Sequence, residues 1–130
     1  MSYTFGVVLS GDIASVRPRV EAALAAEGFG ILTEIDIAAT FKAKINVDRD
    51  PYVILGACKP ALANRAITAD PNAGALLPCN VILRQEGATV AVEFMDPLTV
   101  MSLVEHEGVA EVANAARASL DAVVGALAAQ

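Results

Sequence analysis

A two-layer α+β sandwich, with a mixed but mostly antiparallel sheet of about five strands and helices on one face, is the fold class this sequence predicts. Three observations predict it. Apolar or alternating runs short enough to be strands recur between Tyr3 and Met95. Two longer segments, 13–27 and 109–128, carry apolar residues at helical spacing. The elements follow one another as β α β α β α β β α, and 130 residues suffice for one domain spanning 1–130 but not for two independent cores.

Each element has its own signal. Tyr3 to Ser10 is a strand-like run closed by Gly11-Asp12, and Asp12 is placed to cap the helix that follows. From Ile13 to Glu27, Val16, Val20, Ala23 and Leu24 share one helical face, and Gly28 stops the helix as its C′ residue. Phe29 to Asp36 reads as the second strand, followed by a short helix with Ile37, Phe41 and Ile45 in one stripe. Asn46 to Pro51 is a polar turn. Tyr52 to Cys58 is a nearly continuous apolar run, the pattern of a strand covered on both faces or by a dimer mate. Pro60, at a first helical position, starts a helix that stops at Asp70-Pro71-Asn72. Asn80 to Arg84 is the next strand, Glu86-Gly87 the hairpin turn, and Thr89 to Met95 alternates with Val90, Val92 and Phe94 on one face. Leu98 to Val104 forms a short helix. Val109 to about Ala128 is the longest, with Val112, Ala116, Leu120, Val123 and Leu127 in its stripe.

Composition removes several classes of function. At 55% hydrophobic and 18% charged residues the chain is not disordered. It holds no run of about 18 uncharged apolar residues, and its first residues lack a basic stretch followed by a cleavable apolar one, so a cytoplasmic protein with no membrane partner is expected. The net charge of −6 falls wholly in the second half of the chain. Lys42, Lys44 and Arg49 are the only basic group, and Trp is absent, so nucleic acid is not expected as a partner. A sheet covered on one side leaves the other bare. The runs Val7–Leu9, Val53–Leu55 and Val81–Leu83 contain nothing polar to wet that face, which predicts a homodimer.

Few residues carry chemistry. Cys58 and Cys79 sit at the ends of apolar runs beside prolines, at a spacing that matches no zinc signature. The plain reading makes both buried small hydrophobes. The sharper one places Cys58 between a strand end and a helix N-terminus, where the helix dipole and Lys59 favour a thiolate, and lets Cys79 join it as a redox couple or as a second ligand for a soft metal such as copper(I). Glu34 and Asp36, two apart on a strand, project from one face; they suit a paired acid and base or a cation site, although Asp36 is also a good cap for the next helix, and Lys42 lies near enough to pair with them. His106, between Glu105 and Glu107, reads as a surface imidazole with no nucleophilic partner. Gly28-Phe29-Gly30 lacks a third glycine and a following helix, so it is no dinucleotide fingerprint, and no motif specifies a cofactor.

Three stretches, Gly28 to Asp36, Tyr52 to Pro60 and Leu76 to Val81, together resemble in order and separation the domain-of-unknown-function 302 family. The resemblance spans most of the chain. It implies a small bacterial or archaeal α+β protein, commonly a homodimer, without an established biochemical role. It places Glu34, Asp36 and Lys42 in the first motif, Gly56, Cys58 and Pro60 in the second, and Pro78, Cys79 and Asn80 in the third; Asp96, Pro97 and Met101 resemble a last short motif. The chain departs from the family at Lys59, where Asn is usual, and at Asp50, where a basic residue is common. Three functions follow as expectations. The first is a small-molecule or metal-ion binding homodimer with a pocket near the cysteines, lined by some of Glu34, Asp36, Lys42, Cys58, Lys59, Cys79 and Asn80. The alternatives are a thiol redox enzyme using Cys58 and Cys79, and a structural or interaction module.

Overall fold

Capping chemistry draws the element boundaries in the computed structural model, which describes residues 2–130. Strand β1 (Thr4–Ser10) gives way to helix α1 (Ile13–Ala26) at Asp12, whose Oδ1 accepts from the Ser15 N–H at 2.8 Å while Ser15 Oγ accepts from the Asp12 N–H at 3.2 Å. At the other end Gly28 takes φ 85°, and its N–H and that of Phe29 donate to Ala25 and Leu24, both at 3.0 Å, closing a Schellman turn. Strand β2 (Gly30–Asp36) runs directly into α2 (Ile37–Ile45), with Asp36 Oδ1 accepting from the Ala39 N–H at 2.9 Å. Strand β3 (Tyr52–Cys58) leads to α3 (Pro60–Ala69), with proline at the first position as expected. A 3-10 turn (Pro71–Leu76) precedes the hairpin β4 (Cys79–Glu86) and β5 (Thr89–Met95), which turns at Gly87 with φ 62°. The chain closes with α4 (Pro97–Val100), a 3-10 turn (Met101–Leu103) and α5 (Glu107–Ala128). His106 Nδ1 accepts from the Gly108 N–H at 2.9 Å and so caps α5, a structural task for the one imidazole.

The five strands form one sheet in the order β1-β5-β4-β3-β2, with every neighbouring pair antiparallel. The expected admixture of parallel pairing is therefore absent: β5 returns beside β4 through its hairpin and then pairs with β1, so no crossover demands a parallel neighbour. On the covered face lie Val53, Leu55 and Ala57 of β3, Val81 and Leu83 of β4, and Val90, Val92 and Phe94 of β5, all buried against Val16, Val20 and Leu24 of α1 and Leu120, Val123 and Leu127 of α5. A second cluster joins Leu62 and Ala66 of α3 to Val112 and Ala116 of α5, and a third joins Met101 to Val109 and Ala113.

One helix departs from the expected single helical layer. Helix α2 leans on the opposite face, where Ile37 and Phe41 share a shallow hollow with Tyr52 and Ile54 and the Arg49 guanidinium stacks 5.6 Å from the Phe41 ring. It buries no residue, and Ile45 at the end of its stripe is 62% exposed, because α2 rests mainly on β2 at the sheet edge and on β3. The rest of that face is mixed. Ile54, Ile82, Ala91 and Val8 alternate with Asn80, Arg84 and Glu93, so the apolar runs of the sequence do not make a wholly apolar surface.

Two glycines separate conformational need from tolerance. Gly28→Ala forces a side chain into positive φ against the Lys59 stem and should cost about 1 kcal/mol, whereas Gly125→Ala, within α5 with open space around it, should gain up to about 1 kcal/mol. Urea unfolding of the two variants reads the opposite signs.

Candidate functional site

Pairing between β3 and β4 places Ala57 opposite Cys79, and Cys58 is the next residue along. Both cysteines, forming no disulfide, are among the residues around one small, partly open cavity of about 30 Å³ on the helical side of the sheet. The hydrocarbon of Phe29, Leu62, Leu77, Pro97, Val112 and Ala116 closes the rest, and Met101 adds a thioether. This volume holds a water or two, or a single ion; a metabolite does not fit. The expectation of a partly polar pocket is corrected accordingly: the only heteroatoms its side chains bring are three sulfurs and the Lys59 nitrogen.

The two thiols differ in environment. Cys79 is buried at 8% exposure and Cys58 is half-buried at the end of β3. Burial pushes the Cys79 thiol up to about 11, with the neighbouring Cys58 adding to the shift. Lys59 follows Cys58 immediately, but its side chain runs along Gly28 to donate from Nζ to Ser119 Oγ at 3.1 Å, with the ammonium 5.9 Å from the Phe29 ring centre. It therefore supplies a fixed positive charge at the rim; as the N-cap of α3 it makes no side-chain hydrogen bond, since an ammonium has no lone pair to offer the helix N–H groups.

Met101 reaches the cavity because Asp96 holds the segment that carries it. Asp96 is the one buried charged residue among those described; its Oδ1 accepts from the Leu98 N–H at 2.9 Å, capping α4, and its Oδ2 accepts from Arg117 Nη1 at 2.7 Å. Arg117 in turn stacks 3.8 Å from the Phe5 ring centre and donates to Asp121. One carboxylate thus ties α4 and its 3-10 extension to α5, and Arg117 carries the tie on to β1.

The other expected site residues are dispersed. Glu34 and Asp36 do project from one face, opposite Leu55 and Val53 in register. Their tasks are separate: Glu34 is gripped by both terminal nitrogens of Arg17 from α1, which hold its carboxyl below the usual value, and Asp36 caps α2. Lys42 pairs with Asp48 at 3.0 Å instead of with either acid. Asn80 lies on the opposite face of the sheet from Cys79, in an open groove of about 520 Å³ with Tyr3, Tyr52, Ile82, Arg84, Glu93 and Met95. Sequence reasoning missed the walls of the thiol cavity, since Val112 read only as part of a helical stripe and Leu62 and Leu77 carried no signal of their own. Among the described residues no group of three or more His, Cys, Asp and Glu is arranged to hold a metal ion, and no helix is long and apolar enough to cross a membrane.

Comparison with known proteins agrees with this architecture. The family model described as domain of unknown function DUF302 matches residues 5–127. A crystal structure of an uncharacterised conserved DUF302 protein from Bacillus stearothermophilus is similar, with a TM-score of 0.88 at 25% identity, covering 97% of this chain and 98% of that one. No curated protein matches the chain.

The buried thiol has a stability signature. Unfolding returns Cys79 from about 11 to the ordinary thiol value of 9.0, so its contribution is fully present below pH 9.0 and is lost as the pH rises towards 11, on the order of 3 kcal/mol in all. Chemical unfolding from pH 8 to 11 should show a smaller alkaline loss for Cys79→Ala than for wild type; parallel curves would place the thiol in water.

Proposed function

The chain belongs to the DUF302 family, and on the geometry of its thiol cavity we propose that it is an ion-binding homodimer rather than an enzyme. The observation that carries the reading is that two free thiols, 21 positions apart in the chain, line one small cavity with no oxygen ligand in its side-chain walls. Thiolates select soft ions such as copper(I), and hard ions want carboxylates and carbonyls. Binding follows M⁺ + 2 RSH → [M(SR)₂]⁻ + 2 H⁺, and the Lys59 ammonium at the rim offsets the negative charge left behind. Removing the Cys79 proton at pH 7 costs about 5 kcal/mol, which the metal–thiolate bonds must exceed. The same high value makes Cys79 a poor attacking thiol, so the redox alternative would have to use Cys58 as its nucleophile. A reducing cytoplasm, which keeps both thiols free, is the compartment this reading requires.

The dimer is assigned to the uncovered sheet face. Its support is that face's apolar content: Val8 is 64% exposed and Tyr3 70% exposed on the same side of the sheet as Ile82 and Ile54. The thiol cavity lies on the other side of the sheet, so pairing leaves it free.

Titration of the reduced protein with silver(I) under anaerobic conditions, in competition with a thiol chelator of known affinity, should end at one ion per chain, with uptake lost in Cys58→Ser and in Cys79→Ser. Unchanged uptake in either variant refutes the shared site. Light scattering should give about twice 13.4 kDa for wild type and 13.4 kDa for Ile82→Lys, the latter still binding its ion. A wild-type particle of 13.4 kDa refutes the dimer.

A further inference from the structure

The uncovered sheet face ends, on the side of α2, in two arginines and a tyrosine that the thiol site does not use. Asn46 closes α2 in the left-handed region at φ 54°; its N–H and that of Val47 donate to the Lys42 and Phe41 carbonyls at 3.2 and 3.3 Å. Further on, the Gln85 N–H donates to the Pro51 carbonyl at 3.0 Å, so the turn 46–51 is tied at both ends. It carries the Arg49 guanidinium to 5.6 Å from the Phe41 ring centre and 5.7 Å from that of Tyr52. Tyr52 stands opposite Arg84 in the register of β3 and β4, on the same face of the sheet. Arg84 pairs through Nε with Glu86 Oε1 at 2.8 Å, which leans its guanidinium along β4 towards the same turn. Phe41, Arg49, Tyr52 and Arg84 thus follow one another across the surface, each placed by a ring distance or by strand register. The last three border an open hollow of about 490 Å³.

Among the described residues Arg49 makes no hydrogen bond and no ion pair. The acids nearby do not claim it: Asp48 pairs with Lys42 at 3.0 Å, Glu86 pairs with Arg84, and Asp50, which also borders the hollow, forms no ion pair with it. A guanidinium positioned by two rings and left without an acid keeps its whole fork of donors for a ligand. We propose that this hollow is a binding site for a small monocarboxylate with an apolar body, its carboxylate gripped between Arg49 and Arg84 and its hydrocarbon laid beside Tyr52. Room for the body adjoins the head site, because Arg49 and Tyr52 also line the shallow hollow of about 260 Å³ formed with Ile37, Phe41 and Ile54. Planar carboxylate matches the guanidinium fork. Charge selects against a dianion: Lys42, Arg49 and Arg84 are matched by Asp48, Asp50 and Glu86, so one added negative charge suits these surroundings better than the two of a phosphate monoester. The site does not rest on the thiol reading, since the cysteine cavity lies across the sheet, and it sits on the β3 side of the open face, away from Val8 on β1.

The test titrates the full-length protein with sodium benzoate, with benzamide as the uncharged analogue of the same shape, and with inorganic phosphate, following the ring signals of Tyr52 by NMR. Benzoate should shift those signals saturably in the millimolar range or below, and benzamide should bind at least about tenfold more weakly, because the charge-assisted bonds are lost. Arg49→Gln and Arg84→Gln should each weaken benzoate by at least about tenfold. Arg49→Lys should not restore wild-type affinity, since an ammonium keeps the charge without the planar fork. Arg49 is exposed and Arg84 half-buried at the surface, so these variants should fold; the comparison of benzoate with benzamide on wild type needs no substitution at all. Absence of saturable benzoate binding, equal binding of benzamide, tighter binding of phosphate, or benzoate affinity unchanged in both glutamine variants overturns the proposal. Silver(I) uptake, scored separately, is untouched by any of these results.

Discussion

Antiparallel register between β3 and β4 is the constraint on which the candidate site depends. By setting Ala57 opposite Cys79, it brings the end of one strand and the start of the next together, although the whole of α3 and a 3-10 turn lie between them in the chain. A slip of one residue would turn Val81 and Leu83 from the covered face to the open one, against the burial of two large aliphatic side chains. Core hydrophobicity therefore fixes which strand ends meet beside the cavity. Gly56 tightens the sheet at the same level on its other face: a side chain there would collide with Thr33 of β2 and with Pro78, so the three segments approach closely.

Charge enters this part of the molecule sparingly and at its margins. Asp96 is buried yet has both oxygens satisfied, one by the α4 backbone and one by Arg117, so the cost of taking its charge out of water is offset by charge-assisted bonds. Among the described residues no buried side-chain nitrogen or oxygen lacks a partner. Lys59 is the only charged residue in the cavity wall, and its ammonium is held by Ser119 at the rim. What remains inside is apolar apart from sulfur, an environment that suits ions bound mainly by covalent thiolate bonds and not by solvation.

Local signals made most of the fold legible before any coordinates. Asp12, Gly28, Pro60 and Gly87 act where their backbone chemistry demands, and the stripe from Val109 to Leu127 faces the sheet because its period matches a helix. The site was half legible. Cys58 and Cys79 stood out by position, but nothing local distinguishes Leu62, Val112 or Met101 as cavity walls, since closing a cavity depends on how α3, α5 and the Asp96 segment pack together. The same limit explains the dispersal of Glu34, Asp36, Lys42 and Asn80. Strand alternation places Asn80 on the face opposite Cys79, and the acids take partners, Arg17 and the α2 backbone, that no sequence spacing specifies.

The most direct test of the account is anomalous diffraction from crystals of the reduced protein soaked in silver(I). The account predicts one silver peak per chain, inside the cavity and within bonding distance of both Cys58 Sγ and Cys79 Sγ. Two separate peaks, each on a single sulfur, or silver confined to the molecular surface with the cavity unfilled, would contradict it.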